Sequence, residues 1–354
     1  MQSLNCGAID HDLGAGPAPI PVTILTGFLG AGKTTLLNRI LNGDHGLRVA
    51  VLVNDFGSIN IDADLVVGVE SDVISLANGC VCCSIRDDLI EAVTSVMARP
   101  ERPEYVLLEA SGVADPVGIM VTFSNPGLRD RIRLDSTTCV VDAEQVFAVP
   151  EQMKLKLWQI AAADMLILNK VDLVSRDQIA TIRRWLDEHF HRYRLIEAKQ
   201  CDVPVEILLS AGHFDAAAVE SGHGDHTGHD CHEAQCNHHH RHDDHSQAFS
   251  TWSYESGEPL SLEALRETAS RLPVNIYRCK GVINSADSPT RRTVLQVVGK
   301  RVDLTLENEW GDRTARTQIV AIGARGSVDG EMLQARFDAC AVGPRQVSPV
   351  SAEQ

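Results

Sequence analysis

No apolar run in the 354 residues approaches the length of roughly 18 needed for a helix to cross a bilayer. Basic residues are also scarce, with 32 Lys and Arg against 48 Asp and Glu and a formal net charge of -16. Nucleic-acid backbones and anionic membranes demand a basic face, so neither is an expected partner. Small molecules, cations and proteins are. The first 20 residues, MQSLNCGAIDHDLGAGPAPI, have no basic cluster and no apolar core. That is not the pattern of a signal peptide, and a loose tail is expected over 1–19. The ten cysteines are scattered over a long chain, unlike the dense framework of a small secreted scaffold. A reducing cytoplasm with free thiols is the expectation. The thioredoxin-like surroundings that would make a C-x-x-C spacing a redox motif are lacking, as are the double cysteine pair of a closed zinc site and any internal repeat.

What is present is a series of short apolar strands separated by helical stretches. PVTILT (21–26), RVAVLVN (48–54), YVLLE (105–109), TTCVVDA (137–143), DMLILNK (164–170) and EILLSA (206–211) read as strands. KTTLLNRILN, SIRDDLIEAVTSVMAR (84–99) and SRDQIATIRRWLDEHF (175–190) read as helices between them. Continuous apolar strands alternating with helices predict a doubly wound, mostly parallel α/β sheet over about 20–212. Composition changes at 213–247, which holds ten of the 14 histidines and little apolar content beyond alanine. Such a segment cannot build a core and is expected to be a disordered linker. FSTWSY, VNIYRCKGVIN, RRTVLQVVGKRVDLTLENEW and RTQIVAIGAR read as strands, with LSLEALRETASRL and GEMLQARFDACA as helices. They predict a smaller α+β domain over 248–345, followed by a tail at 346–354.

GFLGAGKT (27–34) fits G-x-x-x-x-G-K-[ST] between a strand and a helix, the context that a phosphate-binding loop requires. Glycines let backbone N–H groups wrap a phosphate, and the helix N-terminus adds its dipole. The candidate nucleotide contacts are Gly27, Gly30, Ala31, Gly32, Lys33, Thr34 and Thr35. Lys33 would pair with the β- and γ-phosphates, and the Thr34 hydroxyl would face Mg²⁺. The loop alone leaves ATP kinases, ATPases and GTPases open. YVLLEASG ends an apolar strand in the acid that a Walker B element needs, with Glu109 where GTPases usually carry Asp. NKVD (169–172) resembles the guanine-recognition motif of GTPases. There Asp172 would accept the guanine N1–H and 2-amino hydrogens, with Asn169 bracing the loop and Lys170 lying against the base. Adenine lacks that donor pair. Ser210 and Ala211, after EILL, resemble the last guanine-contacting loop.

With Glu109-Ala110-Ser111-Gly112 as its third motif, the chain resembles the P-loop GTPases named for a glutamate at that position. GFLGAGKTTLLN, NGCVCC, ASGVADP, the histidine-rich linker and YRCKGVIN resemble the CobW subgroup, over about residues 20–345. That resemblance implies a GTP-hydrolysing metallochaperone using GTP, Mg²⁺ and Zn²⁺, with client metalloproteins as partners through the C-terminal domain. It leaves a homodimer open, and it leaves cobalt or iron insertion and metal storage as alternative roles. The subgroup commonly reads NEFGE where this chain has NDFGS, so Asp55 is the shorter carboxylate offered to Mg²⁺ and Ser58 removes a charge.

Cys80, Cys82 and Cys83 put three thiols in one tight stretch. A redox pair, buried packing cysteines and a carried metal all remain readings of the spacing. The resemblance implies the last. Three soft ligands suit zinc or copper(I), and a position ahead of a helix starting near Ser84 favours the thiolate. The linker histidines, with Cys231 and Cys236, would collect metal weakly. Cys139, Cys201, Cys279 and Cys340 read as core residues.

Overall fold

The computed structural model describes residues 19–43, 45–53, 73–75, 84–123, 125, 127–209, 249–311 and 313–342. Its first unit is a seven-stranded sheet in which every pair is parallel. The strands are β1 (Ile20–Thr26), β2 (Val49–Val53), β3 (Val73–Ser75), β4 (Tyr105–Glu109), β5 (Ile132–Asp142), β6 (Met165–Asn169) and β7 (Leu195–Glu197). They lie in the order β3-β2-β4-β1-β5-β6-β7. All residues of β2, β4 and β6 are buried, as strands covered on both faces require. Helix α1 (Lys33–Leu41) covers one face with Leu36, Leu37 and Ile40. On the other face α2 (Ser84–Met97) and α3 (Pro116–Phe123) pack one half of the sheet, and α4 (Met153–Ala162) and α5 (Arg176–His189) the other. The chain order reverses beside β1, so the crevice at the C-terminal ends of the strands opens there.

Two elements differ from the sequence expectation. Val205–Leu208 is a helical turn, α6, not a sixth strand, and the last strand is Leu195–Glu197. The three-residue apolar run Ile207–Leu209 has no periodicity to separate the two states, and Pro204 opens the turn with Glu206 behind it. Strand β3 is three residues long and was not anticipated.

The second unit is a five-stranded antiparallel sheet, ordered β11-β10-β9-β12-β8. It comprises β8 (Phe249–Ser256), β9 (Ile276–Asn284), β10 (Arg291–Val298), β11 (Arg301–Glu309) and β12 (Thr317–Ala324). Helices α7 (Leu262–Ser270) and α8 (Gly330–Asp338) start at the side-chain caps Ser261 and Asp329. Leu265 and Leu333 from these helices join Tyr254, Leu295 and Phe337 in one core.

This unit is docked, rather than only tethered. It sits against the N-terminal ends of β5, β6 and β7, away from the crevice. Arg192 and Arg194 donate to carbonyls of Leu272 and Ile276, and Lys300 donates to Ala161 O. Gly299 (φ +57°) lies so close that a Cβ there would stand 1.8 Å from Asp164 O. Tyr277 and Val298 enter the same apolar cluster as α1. Arg278, 4% exposed, pairs with Asp135 at 3.3 Å and donates to Ile207 O at 3.1 Å. Asp135 also accepts from the Tyr105 hydroxyl at 2.7 Å, and burial raises that phenol far above its usual range. Charges this deep cost several kcal/mol each unless paired and hydrogen-bonded, and these are both. Among the described residues, no helix is long and apolar enough to cross a membrane.

Candidate nucleotide site

The loop after β1 takes its shape from glycine. Gly27 has φ +133°, and a Cβ there would stand 2.2 Å from Val140 O. Gly32 has φ +110°, with a Cβ meeting Asn169 Nδ2 at 2.5 Å. Both positions exclude a side chain on conformation and on space. Gly32 is also the cap of α1 and offers no side-chain bond to it, so the first-turn N–H groups remain for a ligand. Lys33 is buried and arches back, donating to Phe28 O at 3.3 Å.

Leu25 and Glu109 face each other in the β1–β4 register, which carries the Glu109 carboxylate to the loop. The Thr34 hydroxyl donates to Glu109 Oε1 at 2.9 Å, and Glu109 is 1% exposed. A hydroxyl and a carboxylate held together beside a phosphate loop form a hard oxygen donor set that fits Mg²⁺. Thr35, one residue on, is exposed.

At the other end of the crevice Asn169 joins three loops. Its Nδ2 donates to Ala31 O at 2.9 Å, and its Oδ1 accepts from Cys201 N at 2.8 Å. Lys170 takes φ +62°, and its Nζ reaches Asp142 Oδ2 at 2.6 Å. Asp142 Oδ1 in turn accepts from the N–H groups of Glu144 and Gln145. Asp172 stands exposed on the 3₁₀ turn Val171–Leu173.

The stretch after β7, residues 198–201, packs beside the Asn169–Val171 turn. Ala198 exchanges backbone bonds with Leu168 and Val171, and Cys201 Sγ donates to Gly32 O at 3.3 Å. Ser210 and Ala211 lie outside the described residues. Nothing in the Ala-Lys-Gln-Cys sequence announces this position, whereas Asp142 at a strand end could have been found.

Asp55, Cys80, Cys82 and Cys83 also lie outside the described residues. Helix α2 already includes Ser84, so Cys83 directly precedes a helix start. Burial pushes the Cys139, Cys201 and Cys279 thiols up to about 12, which keeps them protonated and unsuited to metal. Among the described residues, no three His, Cys, Asp or Glu side chains gather as a metal site.

A parallel sheet with a glycine loop at its switch point, a Thr–Glu pair beside it and an Asn-Lys-x-Asp turn define a P-loop GTPase. Residues 21–196 match the CobW/HypB/UreG nucleotide-binding domain, and residues 249–341 match the cobalamin synthesis protein cobW C-terminal domain. The chain is 30% identical over 341 residues to a zinc chaperone CobW of Sinorhizobium sp, covering 87% of this chain and 94% of that one. It is 33% identical to the zinc chaperone CobW of Pseudomonas aeruginosa, over 86% and 88% of the two chains. Zinc-regulated GTPase metalloprotein activator 1 of Dictyostelium discoideum is 35% identical over 55% of this chain and 49% of its own. The chain belongs to the CobW/HypB/UreG family.

Proposed function

We propose that this GTPase is a zinc metallochaperone: it carries zinc on Cys80, Cys82 and Cys83, and GTP hydrolysis times transfer to a client metalloprotein. One observation carries the coupling. Val53, the last residue of β2, is paired with Ser75 on one side and Glu109 on the other. The chain therefore leaves β2 toward Asp55, and β3 toward Cys80, at the same level as the carboxylate that touches Thr34. Two strand spacings, roughly 10 Å, separate the backbone at Ser75 from that at Glu109. A metal-bearing loop rooted there shares its footing with segments that respond to the γ-phosphate.

The roles follow the geometry. Lys33 and the backbone of 27–35 hold the phosphates. Thr34 and Glu109, with Asp55, would hold Mg²⁺, which would supply neutralisation of the phosphate charge. Asn169 keeps the phosphate loop and the 198–201 loop in register, Asp172 selects guanine, and Lys170 is steadied by Asp142 to lie against the base. The 198–201 loop, with Ser210 and Ala211, walls the base on its far side. The histidines of 213–247 collect metal in the neighbourhood, and the docked C-terminal domain recognises the client. The similarity to relatives named as zinc chaperones supports zinc as the cargo.

Deleting 223–245 separates a chaperone from a metal store. The shortened chain is expected to respond to zinc in its GTP turnover as fully as the intact chain does, measured by phosphate release. Turnover that ignores zinc in both chains would mark the metal as merely stored.

A further inference from the structure

Helix α4 carries two buried polar side chains one turn apart, Lys156 and Gln159, and neither bonds within its own helix. Gln159 is 1% exposed. Its Nε2 donates to Gly112 O at 3.0 Å and to Ala114 O at 3.4 Å. Gly112 closes the Glu109-Ala110-Ser111-Gly112 motif, and a bond from Ala114 N to Ser111 O at 2.9 Å folds the segment into a turn. The turn is pressed on the phosphate loop, since a Cβ on Gly112 would stand 2.7 Å from Leu29 N.

Lys156 works on the other side of the same crevice. Its ammonium donates to the carbonyls of Gln145, Val146 and Ala148 and lies 4.8 Å from the centre of the Phe28 ring. One helix therefore bears on the phosphate loop through Phe28 and on the third-motif turn through Gln159. Between them lies a small, half-open and mostly apolar cleft lined by Phe28, Leu29, Val141, Lys156 and Gln159.

We propose that Gln159 is a positioning residue for GTP hydrolysis: it holds the Gly112 turn against the phosphate loop before GTP arrives. This rests on the GTPase reading above. A preformed turn needs little reorganisation when the γ-phosphate enters, whereas a loose one must be ordered in each cycle. GDP has no γ-phosphate, so its binding is indifferent to the anchor.

The test compares the full chain with Gln159→Met, which keeps length and loses the donor, and Gln159→Glu, which sets a carboxylate oxygen against two carbonyls. Both are expected to lower kcat for GTP with Mg²⁺ at least about tenfold, while KM and GDP affinity stay within about twofold. Equal kcat in folded variants would overturn the inference, as would GDP affinity falling in step with kcat, the sign of a purely structural role. Hydrogen exchange on the unaltered chain tests it without substitution. The Ala114 amide, bonded to Ser111 O, should be protected with GDP alone, and fast exchange there would sink the preformed turn. If the unaltered chain does not turn over GTP, the GTPase reading fails and takes this inference with it.

Discussion

Asp172→Asn weakens GTP binding by about two orders of magnitude or more and transfers preference to xanthosine triphosphate. Guanine offers two N–H donors on one edge, and an ionised carboxylate accepts both. Hydrogen bonds to charged groups contribute about 1.5–3 kcal/mol each, so losing the pair costs a factor of roughly 10² to 10⁴. An asparagine amide presents one donor and one acceptor, which matches the 2-oxo group and N1–H of xanthine. Asp172 is exposed on a short 3₁₀ turn, so the substitution leaves the fold intact. Competition of GTP and xanthosine triphosphate against a fluorescent GDP reads out the switch. Unchanged selectivity would place the base elsewhere.

Lys33→Met lowers kcat for GTP by about 10²–10³-fold with little change in thermal midpoint. Removing one preorganised donor from a transition-state site costs that much where charge develops in a water-poor pocket. Lys33 is 7% exposed at the start of α1, and methionine keeps the length of its apolar stem. Among the side-chain contacts given up is a long bond to the Phe28 carbonyl, worth about 1 kcal/mol. Single-turnover phosphate release, with a melting curve in parallel, separates the catalytic loss from unfolding. A loss of rate matched by a collapse of the melting temperature would make Lys33 a structural residue.

The parallel sheet is legible in the sequence because β2, β4 and β6 are continuous apolar runs alternating with helices, the pattern of strands buried on both faces. The strand–loop–helix setting of GFLGAGKT is legible for a steric reason, since positive φ at Gly27 and Gly32 tolerates little else. The two ends of the sheet are not. Val73–Ser75 and Leu195–Glu197 are too short to show a pattern, and Pro204 turns an apolar run into a helix.

Within the crevice, residues that act through one motif are readable and residues that act across the fold are not. Thr34 and Glu109 each carry a motif, but their mutual bond depends on a pairing of β1 with β4 across 75 residues. Asp142 meets Lys170 from 28 residues away, and Gln159 reaches back 47 residues to Gly112. No local spacing encodes such contacts. Docking of the C-terminal unit is hidden for the same reason, because Arg278 and Asp135 are 143 residues apart and ordinary by type.

Metal affinity that depends on nucleotide state is the central claim, and zinc competition with a chromogenic chelator tests it directly. The chain lacking 223–245 would be titrated with Mg²⁺ and GDP, then with Mg²⁺ and a non-hydrolysable GTP analogue, and again as Cys82→Ser. The expected result is a difference of tenfold or more between the two nucleotides, about 1.4 kcal/mol of coupling, abolished by Cys82→Ser. Equal zinc affinity in the two nucleotide states would contradict the account and leave the three cysteines as storage or structure.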